Sequence, residues 1–128
     1  MDVLDEIASA IDGLLFLSET DAPFKLLLLQ ANESIENQLK AILKRDPGTK
    51  TEIVDLDYFL RNQVKTYEGA TPESLRRADR FKQLLALLKL QLHHIKVFRF
   101  GDVAIDAAIT GNTTDGRTIA LITNLVET

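Results

Sequence analysis

The side chains able to do chemistry in this chain fall in a few short stretches. Asp55 and Asp57, and Asp102 and Asp106, are paired acids that share a side if their segments are extended. Such pairs can hold Mg²⁺ or act as acid and base, although on an exposed strand they are ordinary solvated surface. His93 and His94 are adjacent. Neighbours on a helix point about 100° apart, so the two cannot readily grip one metal ion. A place at a helix end, where a cationic imidazole meets the negative dipole, suits them better. Arg76, Arg77, Arg80 and Lys82 form the densest basic cluster, in the pattern of the wet face of an amphipathic helix. There is no Gly-x-Ser-x-Gly elbow and no phosphate loop. The absence of cysteine excludes disulfides, thiolate zinc sites and cysteine nucleophiles.

Two other stretches stand out. Residues 18 to 25 break the helical period of the residues before them, and Pro23 stiffens what reads as a loop. Ser18, Glu19 and Asp21 in this segment would be presented with little ordering entropy left to lose on binding. At the other extreme the last strand runs almost to Thr128. A terminus carried by a strand is held in a defined direction. It offers a carboxylate, a hydroxyl and the Glu127 side chain, hard oxygens of the kind Mg²⁺ or Ca²⁺ accepts.

The elements that must position these groups follow from periodicity. Leu4, Ile7, Ile11 and Leu15 recur at helical spacing, which predicts a helix over residues 2 to 16. Phe24 to Gln30 reads as a short apolar strand, although a leucine run alone also fits a helix. Asn32 or Ser34 can cap the next helix, with Ile35, Leu39, Ile42 and Leu43 as its stripe. Thr51 to Asp55 is a strand with Ile53 and Val54 inside, and Tyr58, Phe59 and Val64 suggest a short helix after it. Thr71-Pro72-Glu73 is a strong helix start, and the helix it opens buries Phe81, Leu84, Leu85, Leu88 and Leu92 and ends near His93. From Ile95 the period changes to two. Lys96 to Phe100, a strand with Val103, Ile105, Ala107 and Ile109 on its richer face, and Arg117 to Val126 make three strands, the last two joined through the turn-rich Asn112 to Gly116. The order predicts an α/β (α+β) protein with a mixed sheet, helices packed on it, and a C-terminal three-strand meander.

Composition bounds the rest. The 128 residues suit one domain, spanning 1–128, with enough chain to bury a core. A formal net charge of −4 argues against sequence-independent binding to nucleic acid, which needs clustered cations. The same charge serves plain solubility or a partner with a basic face. The opening Met1-Asp2-Val3-Leu4-Asp5-Glu6 carries acids where a secretory leader has basic residues, and no apolar run approaches the roughly 20 residues of a membrane span. The expectation is a cytoplasmic protein with neither cofactor nor metal of its own.

The segment Asp12-Gly13-Leu14-Leu15-Phe16-Leu17-Ser18-Glu19, followed by Pro23-Phe24, resembles the signature segment of the nuclease A inhibitor family. Val97-Phe98-Arg99-Phe100-Gly101, Ile105-Asp106, Ile109-Thr110-Gly111, Gly116 and the closing Val126-Glu127-Thr128 resemble that family's C-terminal meander. The resemblance implies a three-layer α/β/α sandwich like that of pathogenesis-related proteins. It also implies stoichiometric inhibition of a Mg²⁺-dependent, sugar-non-specific DNA/RNA endonuclease of the ββα-metal type, by a monomer in a 1:1 complex and not by an enzyme. Carried over, Thr128 would reach the nuclease's catalytic metal and Glu19 would pair with basic residues of its active site. Ser18, Asp21 and Glu127 flank these two positions and complete the expected partner-binding set. The alternative is a binding module or immunity protein of the same fold with a different partner.

Overall fold

The computed structural model describes residues 2–127. Ile7 and Ile11, four residues apart, face inward from helix α1 (Val3–Ile11). The helix ends earlier than periodicity predicts. Gly13 adopts the left-handed conformation (φ +70°) that favours glycine, and the Leu14 N–H donates back to the Ile11 carbonyl at 3.0 Å. Leu15 therefore belongs to a strand. β1 (Leu15–Leu17) and β2 (Asp21–Pro23) pair antiparallel, with Leu17 opposite Asp21, so most of the expected loop is a hairpin. The leucine run is β3 (Lys25–Leu29). Helix α2 (Ile35–Ile42) is capped by Ser34, whose hydroxyl accepts from the Asn37 N–H. There follow β4 (Thr51–Val54) and the short α3 (Leu56–Leu60), capped by Asp55. Helix α4 (Pro72–Gln91) starts where the Thr71-Pro72 pair predicts, the Thr71 hydroxyl accepting from the Ser74 N–H. Strands β5 (Leu92–Phe100), β6 (Ala104–Thr113) and β7 (Thr118–Val126) form the expected meander. Among the described residues no helix is long and apolar enough to cross a membrane.

The main sheet has the order β3-β7-β6-β5-β4, and all its neighbours are antiparallel, which corrects the expected mixed sheet. A parallel neighbour needs a crossover that returns the chain to the end where the first strand began. Here residues 56–71 lead away from β4 and α4 brings the chain back to the end it left, so Val54 lies opposite Val97 and β5 opposes β4. The α4-to-β5 junction has no loop. Leu92 is already extended and pairs with Thr113, while His93 pairs with Asn112. The register then shifts, with His94 at φ +55°, and resumes at Lys96 opposite Thr110. The histidines thus sit at a β-bulge and not on the last helical turn, and the nearest partner of His94 Nδ1 is the Asn112 amide at 3.4 Å.

Side-chain alternation along the strands gives the sheet two buried faces. On one, Val97, Ile109, Ile119 and Leu121 pack under Ile7, Phe81, Leu84 and Leu88, so α1, α3 and α4 cover it. On the other, Phe98, Phe100, Ala108 and Ala120 meet Leu39 of α2. This is a three-layer α/β/α arrangement, and it explains why both faces of β6 are apolar where the pattern suggested one richer face. Ile53, expected inside, is half exposed because β4 is an edge strand. At the β5–β6 turn Gly101 has φ +108°, and a Cβ there would come within 2.6 Å of the Ala104 carbonyl oxygen. Arg45, just beyond α2, fastens this turn. Its Nε donates to Asp106 Oδ2 at 2.8 Å and its Nη2 to the Ala104 carbonyl at 2.8 Å.

Arg117 ties the opposite end of the meander to the start of the chain. Its guanidinium donates to Asp2 at 2.9 Å and pairs with Asp115 at 2.8 Å. Arg117, and then the Thr113 hydroxyl, hold the Asp115 carboxyl down to about 2. Arg117 also lowers Asp2. A depressed carboxylate contributes stability that is complete above its unfolded pKa and is lost as pH falls through the folded one. The melting temperature should therefore fall between about pH 4 and pH 2 more steeply in wild type than in Arg117→Met. Because the groups are exposed, the difference should be small and should shrink in salt. Equal slopes at low ionic strength would contradict the assignment.

Candidate partner-binding cleft

The β1–β2 hairpin is fixed on both sides of its tip. Within the turn the Ser18 N–H donates to the Thr20 carbonyl at 2.9 Å, and the Ser18 hydroxyl donates to the same oxygen at 3.0 Å. That hydroxyl also accepts from the Val126 N–H at 3.2 Å, which joins the turn to the end of β7. On the other side the Gln63 side chain imitates a neighbouring strand. It donates to the Leu17 carbonyl at 2.8 Å and accepts from the Leu17 N–H at 3.1 Å. Gln63 is 8% exposed, so its amide would be costly to bury without these bonds. Beneath the tip, Phe16 stacks on Phe59 of α3 with ring centroids 4.8 Å apart and meets Phe24 edge-on at 6.2 Å.

The end of β7 is held as firmly. The Glu127 N–H donates to the Val103 carbonyl at 3.0 Å, and the Glu127 carboxylate pairs with Arg99 at 2.6 Å. Ser18, Glu19, Arg99, Gln63, Val126 and Glu127 all line one open cleft of about 520 Å³. Its far wall is formed by α3 and the residues after it, where the Arg61 guanidinium lies 3.7 Å above the Tyr58 ring.

Of the residues expected from sequence, Ser18, Glu19 and Glu127 are thus brought together. Asp21 is not. It lies across the hairpin, on a separate groove shared with Leu15, Arg76, Arg77 and Arg80. Thr128 lies outside the described residues. The paired acids are each engaged elsewhere: Asp55 caps α3, Asp57 pairs with Lys89, Asp102 with Lys50 and Asp106 with Arg45. Among the described residues no three His, Cys, Asp or Glu side chains group closely enough to hold a metal ion. Arg80 donates to the Ala10 and Asp12 carbonyls at 3.0 and 2.7 Å, so one member of the basic cluster closes the end of α1.

Sequence reasoning missed Gln63 and Arg99. Nothing local marks Gln63, whose partner is 46 residues away. Arg99 did carry a signal: in the otherwise apolar Val97-Phe98-Arg99-Phe100 it takes the Val97 face, where a charge needs a partner.

Fold and cleft together define an α+β scaffold that displays polar groups on a braced rim. A family model described as nuclease A inhibitor-like protein matches residues 1–128, the whole sequence, and the chain belongs to that family. Membership implies nuclease inhibition at the level of the family. No curated protein matches the sequence.

Proposed function

We propose that this protein is a stoichiometric, non-catalytic inhibitor that occupies the active-site cleft of a Mg²⁺-dependent, sugar-non-specific endonuclease. The observation that carries the reading is that the hairpin turn bearing Glu19 and the end of β7 open onto the same cleft and are bonded to each other through Ser18. A nuclease of this kind is shaped and charged for phosphodiester oxygens, with a divalent cation and basic side chains at its centre. Glu19 supplies a carboxylate for those basic side chains. Thr128 follows Glu127 and supplies oxygens toward the cation. Neither offers a bond that the nuclease can cleave. Because the hairpin and β7 are ordered before binding, little conformational entropy is lost in the complex. The acidic balance of the chain favours fast encounter with a basic cleft.

The test is protection of plasmid DNA from a panel of Mg²⁺-dependent, sugar-non-specific endonucleases. Intact protein should abolish digestion by at least one of them near a 1:1 ratio. Removal of Thr128 should raise the ratio needed by about tenfold or more. Equal protection by the shortened protein would remove the cation-directed role, and no protection by intact protein from any nuclease would favour a different partner.

A further inference from the structure

The Glu127 carboxylate and Arg99 form an ion pair that lines the cleft. Arg99 is 12% exposed on its side-chain atoms, lies opposite Glu52 in the β4–β5 register, and points to the same face as Val97. Its guanidinium reaches across the cleft floor to Glu127, the first residue beyond β7. Two main-chain N–H groups are bonded at the same place, Val126 to the Ser18 hydroxyl and Glu127 to the Val103 carbonyl. Without the ion pair, Glu127 would keep one main-chain bond and a side chain with three rotatable bonds to order. The pair, half exposed on its Glu127 side, adds a second tether to Glu127 beside the bond from its N–H to the Val103 carbonyl.

We infer that Arg99 is a positioning residue for recognition, and that Glu127 serves as its anchor and not as a contact to the partner. This rests on the inhibitor reading for its effect on binding. Its effect on chain order does not depend on that reading.

The two roles for Glu127 are separable by charge reversal. If Glu127 met a cation of the nuclease, an arginine at 127 would repel it whatever stood at 99. If Glu127 anchors the chain end, inverting both members of the pair restores the function. Glu52→Gln is introduced into every variant, so that an acid at 99 does not face a second carboxylate across the ladder. Backbone ¹⁵N order parameters at Val126 and Glu127, melting temperature and protection of plasmid DNA from the panel nuclease are measured together.

In Arg99→Gln and in Glu127→Arg, the Glu127-position order parameter should fall from about 0.85 toward about 0.6. The melting temperature should change little, and the ratio needed for protection should rise about tenfold. The double variant Arg99→Glu/Glu127→Arg should recover both order and protection. Unchanged order in Arg99→Gln would overturn the inference. So would recovery of order without recovery of protection, because Glu127 would then be meeting the partner directly. Should the parent protein protect against no nuclease, the functional reading fails and the order parameters alone decide the positioning. If the double variant melts well below the parent, Arg99→Lys and Arg99→Gln are compared: order and protection should be retained together in the first and lost together in the second, and protection kept while order is lost would overturn the inference.

Discussion

Glu19→Ala is expected to weaken the complex with a sensitive nuclease by about 2–4 kcal/mol, roughly 30- to 1,000-fold in Kd. The carboxylate stands at the tip of a turn that two internal bonds and the Val126 N–H hold in one conformation. A group placed in this way gives its electrostatic energy to the partner without first being ordered. Its removal also leaves the facing cations of the nuclease dehydrated and unpaired, and that penalty makes up much of the expected loss. The change should appear mainly in dissociation, with a smaller, salt-dependent effect on association. Because Glu19 is a hairpin-tip residue outside the apolar core, the melting temperature should move little. Calorimetry or surface binding at two salt concentrations would measure both parts. A Kd within threefold of wild type would show that the turn is not a contact.

Phe16→Ala should be the most damaging single change to the support of the site, at about 3–5 kcal/mol of folding stability. Phe16 is 4% exposed and is the middle of a run of aromatic contacts. It stacks on Phe59 of α3 and meets Phe24 at 85°, and Phe24 meets Phe81 of α4 at 6.1 Å. Truncation leaves a cavity between the hairpin and two helices that cannot close without moving one of them. The hairpin has three residues in each strand and would not be stable alone, so its attachment depends on this ring. Chemical denaturation should show the full loss, and protection of the amides of residues 15–22 from hydrogen exchange should fall further than the global value requires. A loss below about 1 kcal/mol would mean that the surrounding chain collapses onto the vacated space.

The parts of the fold legible in the sequence are those specified locally. The Thr71-Pro72 start, the Ser34 cap and the period-two stretches of β5 to β7 depend on neighbours within a few residues. The first hairpin was not legible in this way. Ile7, Ile11 and Leu15 continue a helical stripe, and only the left-handed Gly13 and the distant aromatic partners of Phe16 turn the chain into a strand. Strand direction was likewise set by where α4 delivers the chain, which no window of sequence contains. For the cleft, Ser18, Glu19 and Glu127 could be named as residue types in stiff settings. Their meeting depends on Gln63, Arg99 and the Val126 N–H, each bonded across a separation of 28 residues or more.

The turn that Arg45 fastens has a further consequence. Arg45 follows the helix on the face of the sheet away from the cleft, yet it grips the connection whose Val103 carbonyl receives the Glu127 N–H. The rear layer is therefore bonded, through a few main-chain atoms, to the edge that carries Glu127. Loss of the Arg45 side chain should loosen the tether of Glu127 while leaving every cleft-lining group in the sequence.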